Sequence, residues 1–340
     1  MIPAPYLLYI GNQTDELSVK TSRGLAQWRA ELCMGQYRTS VSSVSLGLPD
    51  MSFQEAVRRG ARTLVLGIAN AGGVLAPEII EDVVAALEAG LNVASGLHAR
   101  LREQPSISAA AERFRRCLLD VRDPPPSLPI GKGASRQGRR LLTVGTDCSI
   151  GKMYTALALE REMRNRGILA DFRATGQTGI LIAGAGVPVD AVVADFISGA
   201  VEWLSPERQD GGWDVIEGQG SLFHPSFAGV SLGLLHGAQP DALVLCHEPG
   251  REHMRGLPGR ALPELAACLE ANLCAARLTN PDVEAVGVAL NTSRLGAQDA
   301  QRACREVSDA LGLPCQDPIR DGVRLIVDRL VQSFQMRARP

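Results

Sequence analysis

The segment 145-GTDCSIGKMYTALAL-159 places a small polar loop, closed by a glycine and a lysine, at the start of a helix-forming run. Residues 141–144, LLTV, read as a short buried strand leading into it, and the helix is expected to end near Gly167. A strand, a glycine-closed loop and a lysine at a helix N-terminus make a site for phosphate. The first turn of a helix presents unpaired N–H groups, and the lysine adds a positive charge.

The Walker form G-x-x-x-x-G-K-[ST] uses its last hydroxyl to hold Mg²⁺. Here Gly151 and Lys152 are in place, Gly145 stands one position early, and Met153 replaces the hydroxyl residue. The phosphate cradle is kept and the metal ligand is not. Thr155 lies two residues past the usual position and does not by its position replace that ligand. Thr146 and Ser149 add hydroxyls inside the loop, which also contains Cys148 and Ile150. Asp147 is repulsive beside phosphate unless a cation or a substrate amine sits between them; its alternative role is to cap the loop.

Further polar groups follow other predicted strands. Glu217 in 216-IEGQGSLFHPS-226 ends the strand WDVI, where a Walker B acid would stand, and its flanking glycines permit close approach to a ligand. Gln177 and Thr178 in 174-ATGQTG-179 follow another strand. In a parallel sheet these converge on one crevice. His224 is a candidate base, since imidazole titrates near neutrality unaided. Asn70 and His98 follow strands of the N-terminal half and read as structural.

These groups sit on an α/β framework. In the N-terminal half YLLYIG, VSSVSLG, TLVLGIAN and NVASGLH read as strands, alternating with helices around Ser22–Leu32, FQEAVRRG, PEIIEDVVAALEAG and SAAAERFRRCL. The C-terminal half repeats the rhythm with LLTVG, ADFRATG, WDVIEGQG, ALVLCHEP and VEAVGVALNTS, and with helices at Lys152–Arg166, Asp190–Leu204, Pro263–Ala275 and Ala300–Leu311. The expectation is a Rossmann-like domain over 1–125, a Pro/Gly/Ser-rich linker over 126–139 and a P-loop domain over 140–340, both with mainly parallel sheets.

Several classes are disfavoured. The first turn, 11-GNQTDELSVKTSRG-24, lacks G-x-G-x-x-G, which argues against a nicotinamide dehydrogenase. A net charge of −2 offers no basic face for nucleic acid. The eight cysteines contain no C-x-x-C pair, and the N-terminus has neither a basic leader nor a membrane-length apolar run. Reduced thiols and a cytoplasmic location, with no membrane partner, are expected.

GTDxxxGK followed by EGxGS resembles the dethiobiotin synthetase and cobyrinate amidase branch of P-loop proteins. A closer resemblance runs over essentially the whole chain through GTDCSIGKM, ATGQTGILIAG, PVDAVVADFISGAVE, IEGQGSLFHPSFAGVSLGLLHGAQPD and LCHEPGR. It is to a two-domain family with a Rossmann-like N-terminal half and a P-loop C-terminal half, which includes D-glutamate N-acetyltransferases.

That resemblance implies acetyl transfer from acetyl-CoA to the amino group of D-glutamate, with no metal required. The loop residues Gly145, Thr146, Cys148, Ser149, Ile150, Gly151, Lys152 and Met153 would hold the coenzyme A phosphates, and Asn291 would read the adenine. The expected catalytic groups are Glu217 or His224 as base, with Asp147, and Gln177 or Gln219 toward the oxyanion. The two substrate carboxylates need cationic and polar partners, for which Lys20, Arg173, Thr178, Gln219, Ser221 and Arg251 are candidates, beside Arg255 and Arg294. A route through an acetylated Cys148 is disfavoured because no histidine neighbours it in sequence. The other readings are an ATP- and Mg²⁺-dependent ligase or kinase-like enzyme, and a nucleotide- or CoA-binding protein without turnover. Association into a homo-oligomer is expected.

Overall fold

Two all-parallel sheets organise the chain, as the strand and helix alternation requires. The computed structural model describes residues 2–68 and 75–335, so Asn70 falls outside the described residues. One unit takes in Met1–Pro124 and Gly176–Pro188, and the other Pro125–Thr175 and Val189–Pro340.

The first unit has the strand order β2-β1-β3-β4-β5, formed by β1 Tyr6–Gly11, β2 Cys33–Arg38, β3 Thr63–Leu66, β4 Asn92–Ser95 and β5 Leu118–Asp120. Every residue of β1 is buried, as expected of a central strand covered on both faces. Its helices include α1 Lys20–Trp28, α2 Phe53–Arg58, α3 Pro77–Ala89 and α4 Pro105–Phe114. Proline opens α3, and Gly90, at φ +111°, closes it in the left-handed conformation that glycine adopts without strain.

The strand beside β1 is Cys33–Arg38, not the expected VSSVSLG at 41–47. Helix α1 stops at Trp28, and the chain enters β2 after a single 3₁₀ turn. Residues 41–47 are pinned by side chains instead of a ladder. Gln36 Oε1 accepts from the Leu46 amide at 2.7 Å, and Ser42 Oγ donates to the Gln13 carbonyl at 2.6 Å. Alternating serines imitate the period of a half-buried strand.

The second unit has the order β11-β10-β9-β6-β8-β7. Its strands are β6 Arg139–Gly145, β7 Ala170–Arg173, β8 Trp213–Ile216, β9 Ala242–His247, β10 Glu284–Leu290 and β11 Cys315–Gln316. Helix α5, Lys152–Asn165, follows the phosphate loop, and α6, Gln177–Ala183, belongs to the first unit. The rest are α7 Ile197–Leu204, α8 Ala228–Ala238, α9 Leu265–Arg277, α10 Ala297–Leu311 and α11 Arg324–Gln335.

Helices α6, α8 and α11 were not expected from sequence. AGVSLGLLHGA in α8 carries no charged residue and three glycines, so no polar face marks a helical period. Two of those glycines, Gly233 and Gly237, are the packing surface. A Cβ on Gly233 would lie 2.7 Å from Ile197, and one on Gly237 2.3 Å from the Ser198 carbonyl, so α7 and α8 meet almost backbone to backbone.

Residues expected as a linker lie along the second unit. The amides of Lys132 and Gly133 donate to the Glu202 carboxylate, and the Arg136 guanidinium donates to the carbonyls of Glu202, Ser205, Gly237 and Ala238. Because the six strands run the same way, Gly145, Arg173, Ile216, His247 and Leu290 end on one edge. The sheet grows from β6 through β8 to β7 on one side and through β9 to β11 on the other. A crevice therefore opens at the carboxyl end of β6.

Candidate functional site

The loop from Gly145 to Lys152 occupies that crevice. Gly151 at φ +105° and Ser149 at φ +52° turn its backbone so that it enters α5 with unpaired amides at the helix N-terminus. Gly145 has no room for a side chain, since a Cβ would stand 2.5 Å from Ile150 Cδ1. Buried Lys152 donates from Nζ to the Asp147 carbonyl at 2.6 Å. Burial pushes its ammonium below the usual lysine value, and Cys148, Cys246 and Asp147 act against that. Thr155 Oγ1, in the first turn of α5, donates back to the Gly151 carbonyl at 3.0 Å, the i to i−4 bond that a helical threonine can make. It is not turned into the loop as a stand-in for the hydroxyl missing at Met153.

Asp147 is fully buried and joins the loop to the segment after β9. Its Oδ2 accepts from Arg251 Nη1 and from the Arg255 amide, both at 2.8 Å. Arg251 also donates to the Cys148 carbonyl at 2.8 Å and the Ser149 carbonyl at 3.1 Å, and pairs with Glu248. Arg255 donates to Ser149 Oγ, and Arg294 pairs with Glu248 at 3.1 Å. The carboxylate beside the expected phosphate thus has its cation in Arg251, which answers the repulsion that its sequence position posed.

Glu217 fastens the ends of β7 and β8. Its Oε2 accepts from the Thr175 amide at 2.9 Å while Thr175 Oγ1 donates to the Glu217 carbonyl at 2.6 Å. Gln219 Nε2 donates to the same Thr175 hydroxyl at 3.3 Å. Between them Gly218 lies so close to β6 that a Cβ would stand 1.6 Å from the Thr143 carbonyl oxygen and 3.1 Å from Lys152 Cδ. Ser221 Oγ donates to the Thr146 carbonyl at 3.1 Å, so the EGQGS segment underpins the phosphate loop.

His224 is buried with both ring nitrogens engaged. Nδ1 accepts from the Ser226 amide at 3.2 Å, which places the proton on Nε2, donated to the Arg255 carbonyl at 3.0 Å. In that state the ring has no free lone pair. The absence of a neighbouring histidine in sequence does not hold in space for Cys148. A carboxylate oxygen of Asp147, Cys148 Sγ and a ring nitrogen of His224 lie within 4.8 Å of one another. Burial raises the Cys148 thiol, against the pull of Lys152, Arg255 and Arg251.

At the end of β9, His247 Nδ1 lies 3.0 Å from Thr146 Oγ1. Burial lowers its imidazole below the ordinary value, with Arg251 in the same sense and Glu248 opposing. The Asn291 amide donates to the His247 carbonyl at 2.8 Å, and its Cβ stands 3.8 Å from where a Cβ on Gly151 would be. Asn291 therefore borders the loop. Sequence reasoning overlooked His247, although it ends a predicted strand just as Glu217 does.

Arg173 is committed to buried Asp214, with Nε and Nη2 each 2.9 Å from Oδ1. Gln177 and Thr178 belong to the first unit with α6, where Thr178 Oγ1 pairs with Thr21 Oγ1 at 2.9 Å. Lys20 opens α1 of that unit and is exposed, and His98 is also in the first unit. Among the described residues no helix is long and apolar enough to cross a membrane.

Residues 129–327 match the domain of unknown function DUF1611_C, described as a P-loop domain, and residues 32–124 match its partner DUF1611_N, described as Rossmann-like. The chain is 52% identical to a D-glutamate N-acetyltransferase of Pseudoalteromonas sp. over 97% of this chain and 99% of that protein. It is 50% identical to a D-glutamate N-acetyltransferase of Tritonibacter scottomollicae, again over 97% and 99%. The crystal structure of a DUF1611 family protein from Anabaena variabilis superposes with a TM-score of 0.87 at 32% identity, covering 97% of this chain and all of that one.

Proposed function

The chain belongs to the DUF1611 family, and we propose that it is an N-acetyltransferase that moves the acetyl group of acetyl-CoA to the amino group of D-glutamate. The observation that carries this is identity of about half over nearly the full length to two proteins of that name. In the chemistry, the amine attacks the thioester carbonyl, the C–N bond forms, and the C–S bond breaks to release coenzyme A.

The loop supports this reading as a handle for phosphate. Coenzyme A brings a pyrophosphate and a ribose phosphate, and the amides of Ser149–Lys152, the Lys152 ammonium and the guanidinium group of Arg255 suit them. A loop with Met153 at the hydroxyl position, and Thr155 bonded back into its helix, holds phosphate without a metal ligand of its own. Asn291, beside Gly151, would contact the adenine end.

The test is thiol release from acetyl-CoA by the purified protein with D-glutamate, L-glutamate or no acceptor, chelator present and ATP absent. Release with D-glutamate, together with N-acetylglutamate by mass, is expected. No release with any acceptor, and phosphate release once ATP and Mg²⁺ are added, would overturn the reading in favour of a ligase.

A further inference from the structure

The groups first expected to act as base already hold hydrogen bonds. Glu217 accepts from the Thr175 amide at 2.9 Å, and His224 has one nitrogen on the Ser226 amide and the other on the Arg255 carbonyl. His247 differs from both. It stands at the carboxyl end of β9 next to β6, where Gly145 pairs with Cys246 immediately before it. One ring nitrogen is anchored on the phosphate loop through Thr146 Oγ1 at 3.0 Å. Among the described residues the other, Nε2, has no hydrogen-bond partner, and it is not among the buried unpaired atoms.

We propose that His247 is the general base of the transfer, taking through Nε2 the proton that the attacking nitrogen gives up. This rests on the acetyl-transfer reading above. In the tautomer with Nδ1–H donated to Thr146 Oγ1, the Nε2 lone pair is free, and Thr146 is a positioning residue that fixes ring and tautomer together. The substrate ammonium loses one proton to solvent on binding in its reactive form. As the amine nitrogen bonds to the acetyl carbon, its next proton passes to Nε2. The tetrahedral intermediate then collapses, the C–S bond breaks, and the imidazolium returns that proton to the departing thiolate. One proton is released overall.

The charged groups bearing on the ring are Glu248 and Arg251, the latter held on Asp147 and Glu248. Burial keeps the imidazole neutral at and below its ordinary value, the state a base needs before it acts. The contact with Thr146 fixes the ring of a residue on β9 against the loop that follows β6.

The experiment compares wild type with H247Q and T146V for N-acetylglutamate formation, for acetyl-CoA binding by calorimetry, and for kcat/KM against pH. H247Q is expected to bind acetyl-CoA within threefold of wild type, by our threshold of about 0.6 kcal/mol. Its kcat is expected to fall about 10²- to 10⁴-fold, the range of general-base catalysis, with loss of the lower of the two acidic limbs of the wild-type kcat/KM profile, the upper one belonging to the substrate amine. T146V is expected to lower kcat less, keep that lower limb and move its midpoint. An active H247Q with an unchanged profile would overturn the proposal, as would a wild-type profile without that lower acidic limb, which decides the matter even if H247Q fails to fold. A wild type that makes no product with any acceptor would instead overturn the acetyl-transfer reading.

Discussion

Arg251 Nη1 holds Asp147 at 2.8 Å across 104 residues of sequence and also donates to the Cys148 carbonyl, while Nη2 donates to the Ser149 carbonyl. The phosphate loop is thereby shaped by a residue from the segment after β9. A buried carboxylate, a guanidinium and two loop carbonyls form one unit, and the shape of the loop depends on the pair.

Arg251→Met is expected to destabilise the protein by about 3–5 kcal/mol, because it leaves Asp147 as a buried, uncompensated charge. Arg251→Lys should recover only part of this, since an ammonium cannot span the same three acceptors. Urea denaturation of the two variants against wild type measures both effects. Equal stability of all three proteins would contradict the role given to the pair.

Lys152→Met is expected to raise KM for acetyl-CoA by about 10- to 100-fold, the loss of one or two charge-assisted bonds at about 1.5–3 kcal/mol. The same variant should leave the reaction with an acetylated pantetheine lacking phosphates nearly unchanged. Side-by-side kinetics with the two donors read whether the lysine serves as a phosphate handle. An equal loss with both donors would place it in the chemistry instead.

Gly218→Ala is expected to cost about 2 kcal/mol or more, since its Cβ would meet the Thr143 carbonyl at 1.6 Å and force β8 away from β6. The displaced segment carries Glu217, Gln219 and Ser221, so acetyl-CoA affinity should fall along with the melting temperature. Thermal unfolding with and without acetyl-CoA separates the two losses.

His247 makes the stability of the fold depend on pH. Its folded pKa lies below the ordinary 6.5, so between those two values the unfolded chain binds more protons, and stability rises as pH rises through that window. His247→Gln should flatten that part of the curve and leave the rest in place. Denaturation across mildly acidic pH for both proteins checks the sign. A slope unchanged in the variant would remove His247 as its source.

Turnover is expected to persist in excess chelator, because neither Met153 nor the back-bonded Thr155 offers the loop hydroxyl that would hold Mg²⁺. Activity assayed before and after dialysis against chelator tests this. Loss of activity restored by one divalent cation would show that a ligand set other than the Walker hydroxyl is at work.

Much of the framework was written locally. LLTV, the glycine-closed loop and the helix from Lys152 lie within about two dozen residues, and each follows from apolar runs, glycine freedom and helix period. The helices from Lys152, Pro263 and Ala300 were likewise legible from their two-faced patterns. Where patterning was lost, so was the element: α8 has no charged face to mark its period, and the serines of 41–47 imitated a strand that the chain forms at Cys33–Arg38 instead. Met153 was visible as a missing hydroxyl without any structure.

What the sequence alone determined was a two-part α/β protein with a phosphate loop lacking its metal hydroxyl, since composition, period and loop chemistry act over short stretches. The tertiary structure decided which polar groups are already spent and which remain free. Arg173 is taken by Asp214, His224 by the Ser226 amide and the Arg255 carbonyl, and Glu217 by the Thr175 amide, whereas His247 keeps one nitrogen open. Parallel strands joined by long crossovers bring together residues such as Thr146 and His247, 101 positions apart, and no local pattern records which partner a side chain will find there.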